Sequence, residues 1–189
     1  MKKLSRLYKN IRNSIQELYF RIKYKSSELE IRELFKSNTM EQYHHVSVAL
    51  RFIYIVGYVN NNQRDMNYYI EAHRNYYKFL NKYYDEERDV KNFNKLIESF
   101  LSHGYNPKSA LYMDVDGNLY NGAHRLALCI YSGNKVVTVK RINRHVVLPT
   151  VSDCISIYNV EGIDERLNNA FETMKTIINK GSYNAKIEF

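Results

Sequence analysis

The chain has 189 residues, a formal net charge of +8, and 44% hydrophobic against 25% charged residues, which are the proportions of one ordinary globular domain or a small domain with an extension. No apolar run approaches the roughly 18 to 20 residues of a membrane-spanning helix, and two cysteines, Cys129 and Cys154, exclude a disulfide framework and a four-cysteine zinc site; both read as inert thiols. The first residues are charged throughout and hold no signal-peptide apolar stretch, so the expected compartment is the cytoplasm.

Residues 1–25 carry Lys2, Lys3, Arg6, Lys9, Arg12, Arg21, Lys23 and Lys25 against Glu17 alone, so nearly all the excess charge sits there. Leu4, Leu7, Ile11, Ile15, Leu18 and Ile22 recur at spacings of three and four, the stripe of an amphipathic helix with a cationic opposite face. Such a helix packs on its own domain or makes peripheral contact with an anionic membrane surface.

From about 28 to 103 the pattern stays helical. "SSELEIRELF" offers a Ser cap with acidic residues in the first turn. "EQYHHVSVALRFIYIVGYV" continues with Val46, Leu50, Ile53 and Tyr54 at helical spacing, and "NNNQRD" interrupts it. The next helix aligns Tyr69, His73, Tyr76, Leu80 and Tyr83, an aromatic stripe that reads as a packing surface. "DVKNFNKLIESFLSHGYNP" reads as a helix led by Asp89 and closed by Gly104 and Pro107. His44 and His45 are adjacent, about 100° apart on a helix, and form no i,i+4 metal pair. His73 and His103 have no recognisable companions.

The periodicity then changes. Residues 109–121 read as a hairpin with "DGN" as its turn, "GAHRLALCIYSG" as a helix, "VVTVKRI" as a strand, and "IDERLNNAFETMKTIINKG" as a last amphipathic helix. The fold class is therefore α+β, with a helical region over 1–88 packed on a small mixed-sheet domain over 89–189.

The seam "NGAHR", residues 121–125, joins strand to helix. A helix starting there presents unpaired N–H groups and the positive end of its dipole, a setting that binds anions. Gly122 and Ala123 allow close approach to the backbone, Arg125 can turn a guanidinium fork toward phosphate oxygens, and His124 adds a donor or a titratable group.

Residues 96–139, "LIESFLSHGYNPKSALYMDVDGNLYNGAHRLALCIYSGNKVVTV", resemble the ParB/sulfiredoxin-like superfamily in the order helix, Gly-ended loop, strand, turn, G-x-H-R helix start, strand. The resemblance implies that the motif holds nucleotide phosphates. Sulfiredoxins carry a nucleophilic Cys where this chain has Ala123. Partitioning proteins continue into a helix-turn-helix domain, of which no recognition helix is evident here. The free-serine kinases, with D-G-H-H-R, come closest, but Asn121 stands in place of their Asp, and an amide cannot accept the acceptor's proton.

Asp114 and Asp116 lie nearby, two apart on an extended run. Asp114 is a candidate for catalysis or for Mg²⁺, while Asp116 belongs to the Asp-Gly turn. "DEER" supplies Glu86, Glu87 and Arg88 near the place where the kinases carry a catalytic Glu; the carboxylates are candidate catalytic groups and Arg88 a candidate phosphate ligand. The expected activity is phosphotransfer from ATP or another nucleotide, with Mg²⁺, to the hydroxyl of a small-molecule acceptor. By analogy alone that acceptor is a metabolite or a sugar of surface-polysaccharide synthesis. Two alternatives stand beside it: a nucleic-acid-binding protein contacting phosphates through the basic N-terminal segment and Lys140, Arg141 and Arg144, the less favoured one, and a noncatalytic nucleotide or phosphometabolite sensor.

If the first segment does meet membranes, deleting residues 1–25 abolishes co-sedimentation with anionic liposomes. Failure of the full-length chain to sediment overturns the membrane alternative.

Overall fold

The computed structural model describes residues 26–36 and 40–180; the basic segment 1–25 and the membrane contact assigned to it lie outside the described residues. The elements run β1 (Ser26–Glu30), α1 (Ile31–Leu34), α2 (Tyr43–Val59), α3 (Gln63–Phe79), α4 (Glu86–His103), β2 (Leu111–Met113), β3 (Leu119–Asn121), α5 (Ala123–Tyr131), β4 (Val136–Arg141), α6 (Val151–Tyr158) and α7 (Ile163–Lys180). The α+β class holds, with the helices of the N-terminal half beside a small mixed sheet.

The sheet has the order β1-β4-β2-β3. β2 and β3 form the expected hairpin, and α5 carries the chain over to β4, which runs parallel to β2. β1 pairs antiparallel with β4, Ser26 opposite Lys140 and Glu30 opposite Val136, so "SSELE" is a strand rather than the capped start of a helix. Tertiary pairing overrides local helix propensity there, and only the four residues of α1 keep the helical form. The Ile31 N–H extends the ladder by donating to the Lys135 carbonyl.

Helix α2 organises the interior. Thirteen of its residues are buried, because α3, α5, α6 and α7 all pack against it. Its sequence therefore reads as nearly continuous apolar surface instead of one stripe. Its last turn meets the start of α3 at Gly57, where an added Cβ would lie 2.8 Å from Asp65 Cβ. Only a glycine allows that approach. Asn62 caps α3, accepting from the Arg64 and Asp65 N–H groups, and its amide donates to the Asp65 carboxylate.

Two helix boundaries differ from the sequence reading. α4 starts at Glu86 with Asp85 as its cap, which moves Asp89 into the first turn. α3 ends at Phe79, leaving Tyr83 outside it and 85% exposed. α6 lies where the periodicity assigns no element. A capping box starts it, the Thr150 hydroxyl accepting from the Asp153 N–H while the Asp153 carboxylate accepts from the Thr150 N–H.

One hydrophobic cluster runs through Ile31, Leu50, Ile97, Leu111, Val139 and Phe171, so the described parts of the regions 1–88 and 89–189 share a core. Asp65 of α3 and Arg166 of α7 form a buried ion pair across it, and the Arg166 guanidinium lies 4.0 Å from the Tyr68 ring centroid. Removing one member of a buried pair strands the other charge. Arg166→Met is expected to lower unfolding free energy by about 3–5 kcal/mol in urea titration, and adding Asp65→Leu to recover much of that loss.

Candidate functional site

Gly122 is the N-cap of α5, with φ 111° and ψ 12°, a left-handed conformation that favours glycine. A Cβ there would lie 2.6 Å from Leu111 Cδ2. The missing side chain thus serves the packing of the helix start on β2, and its presence is explained without a ligand. Among the described residues no side chain caps α5, so its first N–H groups carry unmatched donor capacity.

These groups open on a cleft of about 150 Å³. Asn121, Gly122, Ala123 and His124 form one wall; Tyr43, His44, Ser47 and Arg51 of α2 face them. The volume is below the roughly 300–1,000 Å³ of a drug-sized pocket. It suits one phosphate-sized group with the remainder of a ligand outside.

The cation in this cleft is Arg51, which the sequence reading passed over. Its Nη1 donates to the Ser47 carbonyl at 2.7 Å and to the Ser47 hydroxyl at 2.8 Å, while its Nε is buried with no partner. No Asp or Glu lines the cleft among the described residues. Arg125, the expected phosphate ligand, turns away: its Nη1 donates to the Ala110 carbonyl at 2.7 Å. Its guanidinium fixes the start of β2 against α5.

His124 joins the cleft to a polar cluster between α3 and α4. Its Nε2 lies 2.9 Å from the Tyr69 hydroxyl, and that hydroxyl donates to Asp89 Oδ2 at 3.3 Å. Tyr84 donates to the same oxygen at 3.3 Å, and His73 Nδ1 stands 3.8 Å from it. Burial, then the Arg51 charge, then His73 and Arg125 hold the His124 imidazole well below its ordinary pKa. Burial and Arg51 do the same to His73. Both rings are neutral at neutral pH, and the fixed positive charge beside them favours an arriving anion.

The other sequence candidates are placed elsewhere. Glu86 accepts from Arg74 Nη2 at 2.8 Å and Nε at 3.1 Å, while Glu87 and Arg88 are exposed. Asp89, directly after that run, reaches His124 through Tyr69. Asp114 is buried and accepts four hydrogen bonds, from the Asp116, Asn118 and Val146 N–H groups and from the Asn118 amide. Burial pushes its pKa up, but the four bonds outweigh that and leave it below the usual value. It orders the β2–β3 turn and anchors the chain at Val146. Asp116 pairs with His145 Nδ1 at 2.7 Å. Among the described residues no three His, Cys, Asp or Glu side chains gather as a metal site. Cys129 and Cys154 are buried, with their thiol pKa values raised by burial to about 12 and about 11.

Sequence reasoning had one signal for Arg51, the lone cation in "SVALRFIYIV" with Ser47 four residues before it. A charge inside an apolar helix needs a reason. For Asp89 and Tyr69 there was none, since a first-turn acid and a stripe tyrosine are ordinary. His44 and His45, expected to diverge, both bring Nε2 to the Leu34 carbonyl, at 3.1 and 2.9 Å.

No protein-family model, curated protein or solved structure matches the chain. Among the described residues no helix is long and apolar enough to cross a membrane.

His44 gives the cleft wall a pH dependence. Burial and then neighbouring His45 lower its pKa from 6.5 to about 4, against the opposing Leu34 hydrogen bond. Between those values the unfolded chain binds the proton and the folded chain does not, so stability falls as pH drops from about 6.5 to about 4. Between pH 7 and pH 4.5 the wild type is expected to lose on the order of 2 kcal/mol more than His44→Gln in urea unfolding; equal losses contradict this.

Proposed function

We propose that the cleft at the start of α5 binds the phosphate of a nucleotide, and that the chain is a nucleotide-dependent phosphotransferase acting on a small hydroxylated molecule. The observation that carries the phosphate part is Arg51, a guanidinium lining the same cleft as an uncapped helix start, with no acidic side chain in the cleft wall among the described residues. Two independent positive features converge on one small volume. The G-x-H-R resemblance supports the nucleotide part, with Arg51 in the place expected of Arg125. Mg²⁺ in this reading arrives with the nucleotide.

A second reading has its own support. Asn121 stands at the cleft where the resembled kinases carry a carboxylate, and Asp89 contacts His124 through Tyr69. This favours a sensor that binds the phosphate without transferring it.

Thermal shift with ATP, ADP, CTP and pyrophosphate plus Mg²⁺ tests the site. A ligand at about 100 times its Kd stabilises by about 2.7 kcal/mol, which raises Tm by several degrees in a chain of this size. The shift is expected to vanish in Arg51→Gln and to survive, reduced, in Arg125→Ala. The reverse pattern overturns the assignment of Arg51. No shift with any ligand, beside salt-sensitive DNA binding, supports the nucleic-acid alternative. Binding without turnover of any acceptor supports the sensor.

A further inference from the structure

Donor counting constrains the proton positions beside the cleft. A carboxylate oxygen only accepts, and a tyrosine hydroxyl has one proton to give. Tyr69 gives its proton to Asp89 Oδ2, so the 2.9 Å contact between the Tyr69 oxygen and His124 Nε2 takes its proton from the imidazole. His124 is then the Nε2–H tautomer, with a lone pair at Nδ1. The tyrosine cannot easily turn away, because its ring is fully buried between Tyr54, His73 and Phe93. His124 Nδ1 has no protein partner among the described residues and is not one of the sealed, unpartnered atoms, which are His44 Nδ1, Arg51 Nε and His73 Nδ1. His124 itself lines the cleft.

We propose that Asp89, acting through Tyr69, is a positioning residue that sets the His124 tautomer, and that the cleft takes a phosphate ester carrying a hydroxyl group beside the phosphate. The anionic oxygens meet Arg51 and the N–H groups at the start of α5, and the hydroxyl donates to His124 Nδ1. A fully ionised phosphate has no proton to offer that nitrogen; a neighbouring hydroxyl does. The ligand half rests on the phosphate reading above, whereas the tautomer half stands without it.

Long-range ¹⁵N–¹H NMR of the full chain at neutral pH reads the tautomer directly, with the His124 signals assigned by their loss in His124→Gln. The wild type is expected to show a protonated Nε2 and an unprotonated Nδ1, and both Tyr69→Phe and Asp89→Asn to lose this single-tautomer pattern. An Nδ1–H tautomer in the wild type, or an unchanged pattern in the variants, overturns the role of Asp89. Should Tyr69→Phe fail to fold, Asp89→Asn at a partly exposed position carries the comparison, and the wild-type spectrum decides by itself. For the ligand half, glycerol 3-phosphate is expected to bind the wild type severalfold more tightly than methyl phosphate, with the preference lost in Asp89→Asn while methyl phosphate binding is unchanged. Equal binding of both probes overturns the hydroxyl contact. Binding of neither overturns the phosphate reading and the ligand half together, and leaves the tautomer pattern to judge Asp89.

Discussion

Helix α2 is surrounded by four other helices and still carries a guanidinium in its middle. A side chain that keeps its charge has to find oxygen, water or an anion where it lies. Ser47, one turn earlier, meets part of that need with its carbonyl and hydroxyl. The guanidinium side chain also lines the cleft at the seam where β3 turns into α5. Burial first and that cation second hold the His124 and His73 imidazoles well below their ordinary pKa.

The same helix explains how α3 and α7 meet. Gly57 lets the start of α3 lie against α2 at backbone distance, which brings Asp65 under Arg166 of α7. Tyr69, one turn further along α3, then falls beside His124 and Asp89. Gly57 is not among the residues lining the cleft, yet it sets the depth at which α3 sits and so where the tyrosine hydroxyl arrives.

Much of the fold was legible in the sequence because it is written in local signals. The hairpin announced itself by Asp-Gly, α5 by the glycine before it, and β4 by its β-branched run. What escaped was non-local. "SSELE" has helix-compatible residues and becomes a strand only because β4 is there to pair with it. At the site, Gly122, Ala123, His124 and Asn121 were read from the motif and do meet in one cleft. Arg125 and Asp114 were read from chemistry appropriate to their types, but their partners, the Ala110 carbonyl and the Asn118 and Val146 amides, are set by loop geometry that no spacing encodes. Arg51 had a signal in composition, a cation amid apolar residues. Asp89 had none, because its role depends on a tyrosine twenty residues away being buried at the right angle.

The pairing of β1 with β4 also orders events during synthesis. β1 is the earliest described element, and its partner leaves the ribosome more than 100 residues later. At roughly 5–20 residues per second that is an interval of about 5–20 seconds. During it the strand has no ladder to join, and a hydrophobic strand in that position would invite pairing with other nascent chains. β1 instead consists of two serines, two glutamates and a single leucine, a composition that stays hydrated while it waits. The polar character that makes this strand look helical in the sequence is what allows the first piece of the sheet to be made long before the piece it joins.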